Sequence, residues 1–321
     1  MGTAPEAEPQ PGRQAAAARL GGVLAPVLTP FRSDLLPDGE RLLRHGRWLL
    51  AHGCAGLAVF GTTSEANSLS VEEREALLDQ LVEGGLDPAR LMPGTGCCAL
   101  TDTVRLTRRA VARGCGGVLV LPPFYYKGVS EDGLFRSFAE VVERVGDARL
   151  RMYLYHIPPV AQVPITPPLI ERLLRAYPGQ VAGIKDSSGD WAHTQALHAA
   201  FAGSGFDVFV GSERFLLANM RQGGVGCITA TANVNPAAID RLYREWRSPE
   251  ADRLQEGLNA VRGAFERLPV IPALKAVVAS HAGDPAWATV RPPLVALAPD
   301  RAGALVAELA GLGFAMPGLR A

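Results

Sequence analysis

Lysine is rare in this chain, since only three of its 32 basic residues are lysines. One of them, Lys185, ends an apolar run with the sequence Val-Ala-Gly-Ile-Lys. A lysine held in a dry pocket loses its proton near neutral pH and attacks a ketone as a free amine, which arginine does not do. The other interpretation is a strand-end lysine whose ammonium group reaches into solvent. The apolar surroundings favour an enzyme that forms an imine.

Two further groups of polar residues follow apolar runs. The turn Gly61-Thr62-Thr63 offers successive backbone N–H groups and two hydroxyls, a combination that suits a carboxylate ligand. Tyr155 ends another run, and beside Lys185 its phenol is suited to carrying protons during imine formation. The alternative for Tyr155 is a core aromatic residue whose hydroxyl is satisfied locally.

These residues belong to a regular alternation of short β-type runs and helical segments, which is typical of a parallel sheet with crossover helices. The predicted strands are 22–28, 56–60, 91–95, 117–121, 151–155, 181–185, 207–211 and 226–229. The predicted helices are 38–52, 71–83, 103–113, 131–145, 167–176, 191–202, 214–221 and 236–245.

Eight strand–helix units favour a (β/α)₈ TIM barrel over residues 21–245. An open nucleotide-binding sheet is not favoured, because no Gly-x-Gly-x-x-Gly follows the first predicted strand. Catalytic groups of such barrels lie at the carboxyl ends of the strands and in the loops after them. Lys185, Tyr155 and the Gly61-Thr62-Thr63 turn all fall at such ends.

The two ends of the chain depart from this alternation. Segments 251–268, 271–281 and 301–312 have helical patterns, so we expect residues 246–321 to form an α-helical C-terminal extension. Lys275 belongs to this extension, and we expect its side chain to lie at a packing surface or at a subunit surface. Residues 1–20 are rich in Ala, Pro and Glu without an apolar core, which predicts a disordered tail and not a signal peptide.

Composition excludes several kinds of partner. The formal net charge is +0, which favours neither nucleic acid nor an anionic membrane. No uninterrupted apolar run approaches the roughly 20 residues that span a bilayer. Five cysteines without metal-ligand spacing predict reduced thiols in a cytoplasmic protein. No metal site is predicted, and the Gly-x-Ser-x-Gly of a nucleophile elbow is absent from the sequence.

With these residues in place, the chain resembles the dihydrodipicolinate synthase / N-acetylneuraminate lyase family of class I aldolases over residues 21–297. The resemblance is carried by Gly61-Thr62-Thr63-x-Glu65, Tyr125-Tyr126, Tyr155-x-Ile157-Pro158, Gly183-Ile184-Lys185-Asp186, Gly211 and the stretch 226–236.

The resemblance implies that Lys185 forms a Schiff base with the C2 carbonyl of pyruvate or another 2-oxo acid. The N–H groups of Thr62 and Thr63 would hold the carboxylate of that acid. Tyr155 would shuttle protons, linked through the Thr62 hydroxyl to Tyr126. No cofactor is implied, because the imine itself withdraws electrons from C3.

Two further implications concern the pocket and the assembly. Gly211 and the Ile228 carbonyl would line the pocket. Tyr126 in the family often reaches in from a neighbouring subunit, so the resemblance implies a homo-oligomer, either a dimer or a tetramer.

Several positions depart from the family pattern. In authentic dihydrodipicolinate synthases an arginine two residues after the Tyr-x-x-Pro proline grips the carboxylate of the aldehyde, but Val160 stands there in this chain. Ser64 replaces a usual glycine, and Gln162 replaces a frequent glycine where the second substrate should bind. Glu213 is expected either to bind substrate hydroxyls or to act as an acid at a helix N-terminus.

These departures weaken lysine biosynthesis as the role and favour an apolar or hydroxylated acceptor. The leading hypothesis is a lyase that runs aldol cleavage or condensation between pyruvate and an aldehyde. One alternative is a 2-keto-3-deoxy sugar-acid dehydratase or aldolase with the same imine, and another is an authentic 4-hydroxy-tetrahydrodipicolinate synthase. A non-catalytic 2-oxo acid binding protein is a fourth hypothesis, although binding alone would not need the proton relay.

Overall fold

The computed structural model describes residues 19–319, in which seven short strands pair in parallel. They are β1 (Gly22–Ala25), β2 (Gly56–Leu57), β3 (Val118–Val120), β4 (Met152–His156), β5 (Val181–Asp186), β6 (Asp207–Val210) and β7 (Gly226–Ile228). Their order across the sheet is β2-β1-β7-β6-β5-β4-β3. Every residue of these strands is buried, as in parallel sheets that are covered on both faces.

The predicted strand 91–95 forms isolated bridges and no regular strand, which corrects the expectation of eight regular strands. Met92 donates its N–H to a carbonyl of β2 (2.8 Å), and Thr95 donates to a carbonyl of β3 (2.8 Å). The segment therefore bonds to both edge strands of the sheet. Pro93 has no N–H, and Gly94 lies so close to the neighbouring backbone that an added Cβ would meet it at 2.2 Å. Pro93 therefore leaves a gap in the ladder, whereas Gly94 donates its N–H to the Val59 carbonyl (2.7 Å) and forms one of the two bridges.

Twelve α-helices occur in the described part of the chain. They are α1 (Gly39–Ala51), α2 (Val71–Glu83), α3 (Leu100–Ala112), α4 (Glu131–Val145), α5 (Pro158–Ala161), α6 (Pro167–Ala176), α7 (Trp191–Phe201), α8 (Leu216–Arg221), α9 (Pro236–Glu245), α10 (Ala251–Glu266), α11 (Val270–Ala282) and α12 (Pro299–Gly311).

The predicted helix starts at residues 71 and 167 are confirmed together with their caps. Ser70 and Glu73 form a capping box at the start of α2. Thr166 accepts the N–H of Leu169 at the start of α6, where proline occupies the first turn. The one-turn helix α5 was not predicted. It directly follows β4 and begins with Pro158.

The core is divided between the inside of the curled sheet and the layer between sheet and helices. Inside lie Leu24, Met92, Tyr153 and Phe209 with their neighbours, all completely buried. A much larger apolar cluster packs the outer faces of the strands against the helices. Because side chains fill the interior, the space for a ligand is at the carboxyl ends of the strands.

Helices α10, α11 and α12 follow the sheet-forming part of the chain. They pack on one another and, through α10, on α9. Lys275 on α11 is 0% exposed, so of its two expected positions it occupies a packing surface inside the chain and not a subunit surface. Its ammonium group forms an ion pair with Glu65.

The predicted N-terminal tail lies almost wholly outside the described residues. Its last two residues belong to the folded part, because Leu20 is buried in the inner cluster and Arg19 pairs with Asp207 (3.4 Å). Among the described helices, none combines the length and apolarity that crossing a membrane requires.

Candidate active site

Lys185 lies in β5 next to Tyr155 of β4, which is its register partner. Successive side chains of a strand point to opposite faces, so Tyr155 shares its face with Tyr153 of the inner cluster. Lys185 is 4% exposed, and its Nζ lies 4.2 Å from the centroid of the Tyr155 ring. Both side chains line a cavity of about 630 Å³.

The turn after β2 borders the same cavity with Thr62 and Thr63. The Thr62 hydroxyl lies 3.2 Å from the Tyr155 hydroxyl, so the predicted contact between these two residues is present. Within the described residues, the N–H groups of Thr62 and Thr63 have no protein acceptor. Two free N–H groups beside a lysine form a binding place for a carboxylate.

The turn is held in an unusual backbone conformation. Phe60 (φ 60°) and Glu65 (φ 54°) adopt left-handed conformations on its two sides. Ser64 accepts the Gly61 N–H with its hydroxyl (3.2 Å) and donates its own N–H to the Gly61 carbonyl (3.1 Å). The serine that replaces the usual glycine therefore supports the turn. Left-handed non-glycine residues are concentrated at functional sites.

Gly211 and Ile228 line the cavity, as expected. An added Cβ on Gly211 would lie 2.0 Å from the Ser187 hydroxyl, so this position requires glycine. Ile157, which the sequence pattern did not single out as a pocket residue, lines the wall after β4.

Val160 and Gln162 do not line the cavity, which differs from the expectation that they contact the second substrate. Val160 lies on α5 and is 59% exposed. Gln162 is exposed and has a left-handed conformation (φ 52°) that ends this short helix. The one-turn helix carries both side chains away from the cavity of their own chain.

Tyr126 also lies away from this cavity and is 71% exposed. Its ring makes an edge contact with Tyr125, which is also exposed. Lys127 donates from its ammonium group to the Ala161 carbonyl (2.7 Å) and thereby ties the tyrosine loop to α5. The relay from Thr62 to Tyr126 is not formed within one chain.

Glu213 begins the short 3₁₀ helix Glu213–Phe215, is buried (1% exposed) and does not line the cavity, so of its two expected roles the acid at a helix N-terminus fits and the contact with substrate hydroxyls does not. It accepts hydrogen bonds from the hydroxyls of Thr229 and Thr231 and pairs with Arg262 (3.3 Å). Its carboxylate therefore ties the segment after β6 to the segment after β7.

One part of the cavity lining, which we call the polar wall, consists of polar side chains. It contains Ser187, Ser212, Arg214, Arg262 and Glu266. Arg214 holds the Glu266 carboxylate with two hydrogen bonds (3.0 and 2.6 Å), and Arg262 donates a third (3.0 Å). This wall presents hydrogen-bond donors and one carboxylate acceptor side by side.

Sequence reasoning missed this polar wall. Ser187, Ser212 and Arg214 follow β5 and β6, so their position at strand ends was a usable signal. Arg262 and Glu266 belong to α10, where no motif marks them. Only the packing of α10 against the segment after β6 brings these two residues to the cavity.

A second polar cluster consists of His156, Asp186 and His193, whose possible ligand atoms lie within 4.8 Å of one another. Asp186 accepts from His193 (3.0 Å) and Thr194 (2.7 Å), and His156 Nδ1 accepts the Ile165 N–H (3.1 Å). These hydrogen bonds engage Nδ1 of both histidines and Oδ2 of Asp186, so contacts within the protein account for the arrangement of the cluster. We therefore draw no chemistry through an ion at this cluster.

The hydrogen bonds also set the charges of this cluster. Burial and the neighbouring His193 lower the pKa of His156 to about 4, so His156 is neutral at pH 7. The bond to Asp186 raises the pKa of His193 above its usual value. Burial opposes ionisation of Asp186, but the bonds from His193 and Thr194 outweigh it and lower its pKa.

Comparison with known proteins identifies the family. The model of the family described as the Dihydrodipicolinate synthetase family matches residues 19–311. The chain belongs to this family. Its members are lyases and synthases, and the resemblance seen in the sequence is confirmed.

Two curated relatives are similar over much of the chain. An uncharacterized DapA-like lyase of Chloroflexus aurantiacus is 36% identical over 88% of this chain and 94% of its own length. A 4-hydroxy-tetrahydrodipicolinate synthase of Thermus thermophilus is 38% identical over 69% of this chain and 72% of its own length.

Solved structures of the Dihydrodipicolinate synthetase family share the fold. The dihydrodipicolinate synthase of Agrobacterium tumefaciens superposes with a TM-score of 0.84 at 32% identity, over 91% of this chain and 99% of that one. YagE of Escherichia coli K12, solved in complex with pyruvate, has a TM-score of 0.84 at 27% identity, over 92% and 100% of the two chains.

Proposed function

We propose that this protein is a Schiff-base-forming lyase that joins pyruvate to an aldehyde or cleaves the corresponding aldol product. The observation that carries the proposal is the placement of Lys185, Tyr155 and Thr62 on one cavity, with the Tyr155 and Thr62 hydroxyls 3.2 Å apart. An amine, a phenol and free N–H groups are the parts that imine formation from a 2-oxo acid requires.

The proposed reaction begins when the neutral amine of Lys185 attacks C2 of pyruvate, whose carboxylate accepts the N–H groups of Thr62 and Thr63. The carbinolamine oxygen takes one proton from the nitrogen and one from the Tyr155 hydroxyl and leaves as water, so that a protonated imine and the Tyr155 phenolate remain. The electron-poor imine favours transfer of a C3 proton to the phenolate, which gives an enamine. The C3 carbon of the enamine attacks the aldehyde carbon, and the Tyr155 hydroxyl gives its proton to the aldehyde oxygen, which restores the protonated imine and the phenolate. Water then attacks C2 of the new imine, the phenolate takes up the proton that this addition releases, and the lysine leaves as a free amine.

A closed barrel is part of this proposal. We infer that segment 91–95 acts as the eighth strand, which Met92 supports through its bond to β2 and Thr95 through its bond to β3. Closure brings the carboxyl ends of β2, β4 and β5 around one cavity, as the proposed mechanism requires.

The polar wall favours a hydroxylated second substrate. Ser187, Ser212 and the guanidinium groups donate hydrogen bonds, Glu266 accepts them, and sugar hydroxyls do both. The relative from Thermus thermophilus is a 4-hydroxy-tetrahydrodipicolinate synthase. Val160 nevertheless offers no clamp for the carboxylate of aspartate semialdehyde, so we favour a sugar-derived aldehyde. A 2-keto-3-deoxy sugar-acid dehydratase remains the second candidate, because the same wall fits its substrate.

The interface between subunits is also a proposal. The exposed Tyr125, Tyr126, Val129 and Val160 form apolar surface on the loop before α4 and on α5, and exposed apolar patches mark contact sites. We place a second copy of the chain there, so that Tyr126 completes the proton relay of its neighbour. We place the enzyme in the cytoplasm, which fits its five unbridged cysteines.

Borohydride trapping tests the proposed imine. The wild-type protein incubated with pyruvate and borohydride should gain the mass of a reduced adduct on the peptide that contains Lys185. The Lys185→Ala variant should gain none, whereas Lys127→Ala, which removes an exposed lysine, should be trapped like the wild type. Failure to trap pyruvate or any longer 2-oxo acid would overturn the proposal.

A second assay addresses the aldehyde. The pyruvate-loaded enzyme is offered glyceraldehyde or aspartate semialdehyde, and the carbon–carbon bonded product is measured. Preference for glyceraldehyde supports the sugar-derived class, and preference for aspartate semialdehyde restores the synthase. Loss of water from a 2-keto-3-deoxy acid without aldehyde release would identify the dehydratase.

A further inference from the structure

Lys275 is buried together with the carboxylate of Glu65. Its Nζ contacts that carboxylate, donates to the Thr289 carbonyl (2.8 Å) and lies 4.5 Å from the centroid of the Phe31 ring. Lys275 is 0% exposed and Glu65 is 4% exposed. Separating two such groups would leave each charge buried alone, which is costly. The pair therefore holds the Glu65 side chain against α11.

Glu65 is also the last residue of the turn that carries Thr62 and Thr63. Its N–H donates to the Thr62 carbonyl (3.1 Å), and its backbone has a left-handed conformation with φ 54°. A residue with a side chain keeps this conformation only where its surroundings enforce it. The second carboxylate oxygen accepts the Arg291 N–H (3.1 Å), so both oxygens of Glu65 are held from the region that follows the sheet.

Neither Glu65 nor Lys275 touches the cavity, whereas Thr62 and Thr63 line it. A chain of contacts therefore leads from α11 through Lys275 to Glu65, and from Glu65 through its hydrogen bond to Thr62 into the turn that also carries Thr63. Displacement of Glu65 would move the N–H groups of the threonines while Lys185 and Tyr155, which belong to β5 and β4, stay in place.

We propose that Lys275 and Glu65 are positioning residues for the carboxylate of the 2-oxo acid. Their ion pair holds the Gly61–Glu65 turn so that the N–H groups of Thr62 and Thr63 point into the cavity. This inference rests on the proposed function, in which those N–H groups bind pyruvate. It assigns the C-terminal helices a part in substrate binding, although Lys275 does not contact the substrate.

The test measures borohydride trapping of Lys185 over a range of pyruvate concentrations in the Lys275→Met variant. Methionine has a similar length but no charge, so Glu65 loses its partner. We expect the half-saturating pyruvate concentration to rise by roughly tenfold and the maximal trapping rate to change by less than about threefold. If the role of Lys275 were merely structural, the variant would lose stability, but the half-saturating pyruvate concentration would not rise selectively over the change in maximal trapping rate.

Pyruvamide provides an independent readout because its carbonyl group is retained while its carboxylate is replaced by a neutral amide. The loss in Lys275→Met should be confined to pyruvate, so the ratio of pyruvate to pyruvamide trapping should fall by the same factor as pyruvate binding. An equal loss with both compounds would place the defect at Lys185 and overturn the inference.

Arg41→Met is the matched control. Arg41 on α1 pairs with Asp284 just after α11 (2.6 Å), so this variant also breaks an ion pair between the first helix and the C-terminal region. Its half-saturating pyruvate concentration should match that of the wild type even if its unfolding midpoint falls. A shift equal to that of Lys275→Met would show that general loosening causes the effect.

Glu65→Gln carries the test if Lys275→Met does not fold, because glutamine keeps the shape of the side chain and an acceptor for the Arg291 N–H. We expect a smaller rise in half-saturating pyruvate, about threefold, with the same selectivity for pyruvate over pyruvamide. An unchanged half-saturation in this folded variant would overturn the inference. Failure of the wild type to trap pyruvate would instead refute the proposed function itself.

Discussion

The two buried lysines of this protein lie in similar surroundings but in different regions, one at the end of β5 and one in the middle of α11. Each ammonium group lies over an aromatic ring, with Lys185 4.2 Å from the centroid of Tyr155 and Lys275 4.5 Å from that of Phe31. Lys275 also contacts a carboxylate, whereas Lys185 has no carboxylate partner among the described residues. Lys185 borders a cavity, and Lys275 does not.

The comparison shows that burial alone does not make a lysine a nucleophile. Burial lowers the pKa of Lys275 to about 8, against the opposing effect of Glu65, yet this lysine does not border the cavity. What separates them is access, because a carbonyl compound can reach Lys185 from the cavity. A carboxylate partner additionally holds Lys275 as a structural ammonium group.

Replacing each lysine separately by methionine should give the largest expected difference in turnover and in adduct formation. Lys185→Met should reduce turnover to the background rate and abolish the trapped adduct, because no other lysine of the described residues borders the cavity. Lys275→Met should still give an adduct on Lys185. Peptide mass analysis after borohydride reduction checks both, and an adduct on Lys275 in any variant would contradict the comparison.

The two methionine variants should rank in the reverse order in unfolding free energy, with the larger loss in Lys275→Met. Lys275→Met leaves Glu65 buried without its partner, and breaking such a pair costs about 3–5 kcal/mol of unfolding free energy. Lys185→Met removes no carboxylate partner and should cost much less. Denaturant unfolding monitored by tryptophan fluorescence measures both values, and the Lys275→Met/Glu65→Gln double variant should recover part of the loss.

The two tyrosines of β4 offer a similar contrast within one strand. Tyr155→Phe should lower turnover on the order of 10²-fold, because it removes the proposed proton carrier. Tyr153→Phe removes a buried hydrogen bond to Asp207 (2.9 Å) at the other end of the strand, so we expect lower stability and near-normal turnover. Steady-state rates of both variants test this contrast, and a near-normal rate in Tyr155→Phe would exclude Tyr155 as the proton shuttle.

Two buried histidines, one at the end of β4 and one on α1, should also respond to acid. Burial lowers the pKa of His156, beside Asp186, and of His45, beside Trp287, to about 4. Because the unfolded value is higher, about 6.5, the unfolded chain binds more protons between these values. Their contribution to stability is therefore complete above about pH 6.5 and is lost as the pH falls towards 4.

His156→Gln and His45→Phe should each reduce this acid sensitivity. Glutamine at 156 retains an acceptor for the Ile165 N–H, and phenylalanine at 45 retains the stacking on Trp48. The difference in unfolding free energy between pH 7.5 and pH 4.5 should shrink on the order of 2 kcal/mol in each variant. His193 responds in the opposite sense, because its pKa is raised. If the unfolding free energy of a variant depends on pH as it does in the wild type, the replaced histidine is not a source of the acid sensitivity.

Much of the fold followed from local patterns in the sequence. Strand β5 was predicted at 181–185 and is Val181–Asp186, and helix α4 was predicted and found at Glu131–Val145. The strand predicted at 22–28 ends at Ala25, because Pro26 follows it. The segment 91–95 was misjudged for a similar reason, since Pro93 interrupts an otherwise strand-like run.

In the candidate site, too, local sequence patterns marked some residues and left others unmarked. Lys185, Tyr155, Thr62 and Thr63 were found because each stands at the end of an apolar run, and such ends meet at one edge of a parallel sheet. Arg262 and Glu266 were missed because their helix reaches the cavity through contacts between distant parts of the chain. For Glu213 the sequence left two roles open, and the hydrogen bonds from Thr229 and Thr231, which no sequence motif marks, decide against the contact with substrate.

The sequence by itself determined the alternation of strands and helices, the family and the residue types at the strand ends. These properties depend on near neighbours along the chain, whose apolar periods of two or 3.6 residues are visible in the letters. Only the tertiary structure decided that Lys275 pairs with Glu65, that α10 supplies one wall of the cavity and that Val160 points away from it. Those outcomes depend on contacts between residues far apart in the sequence, such as Glu65 and Lys275, which are 210 positions apart, and no local pattern encodes them.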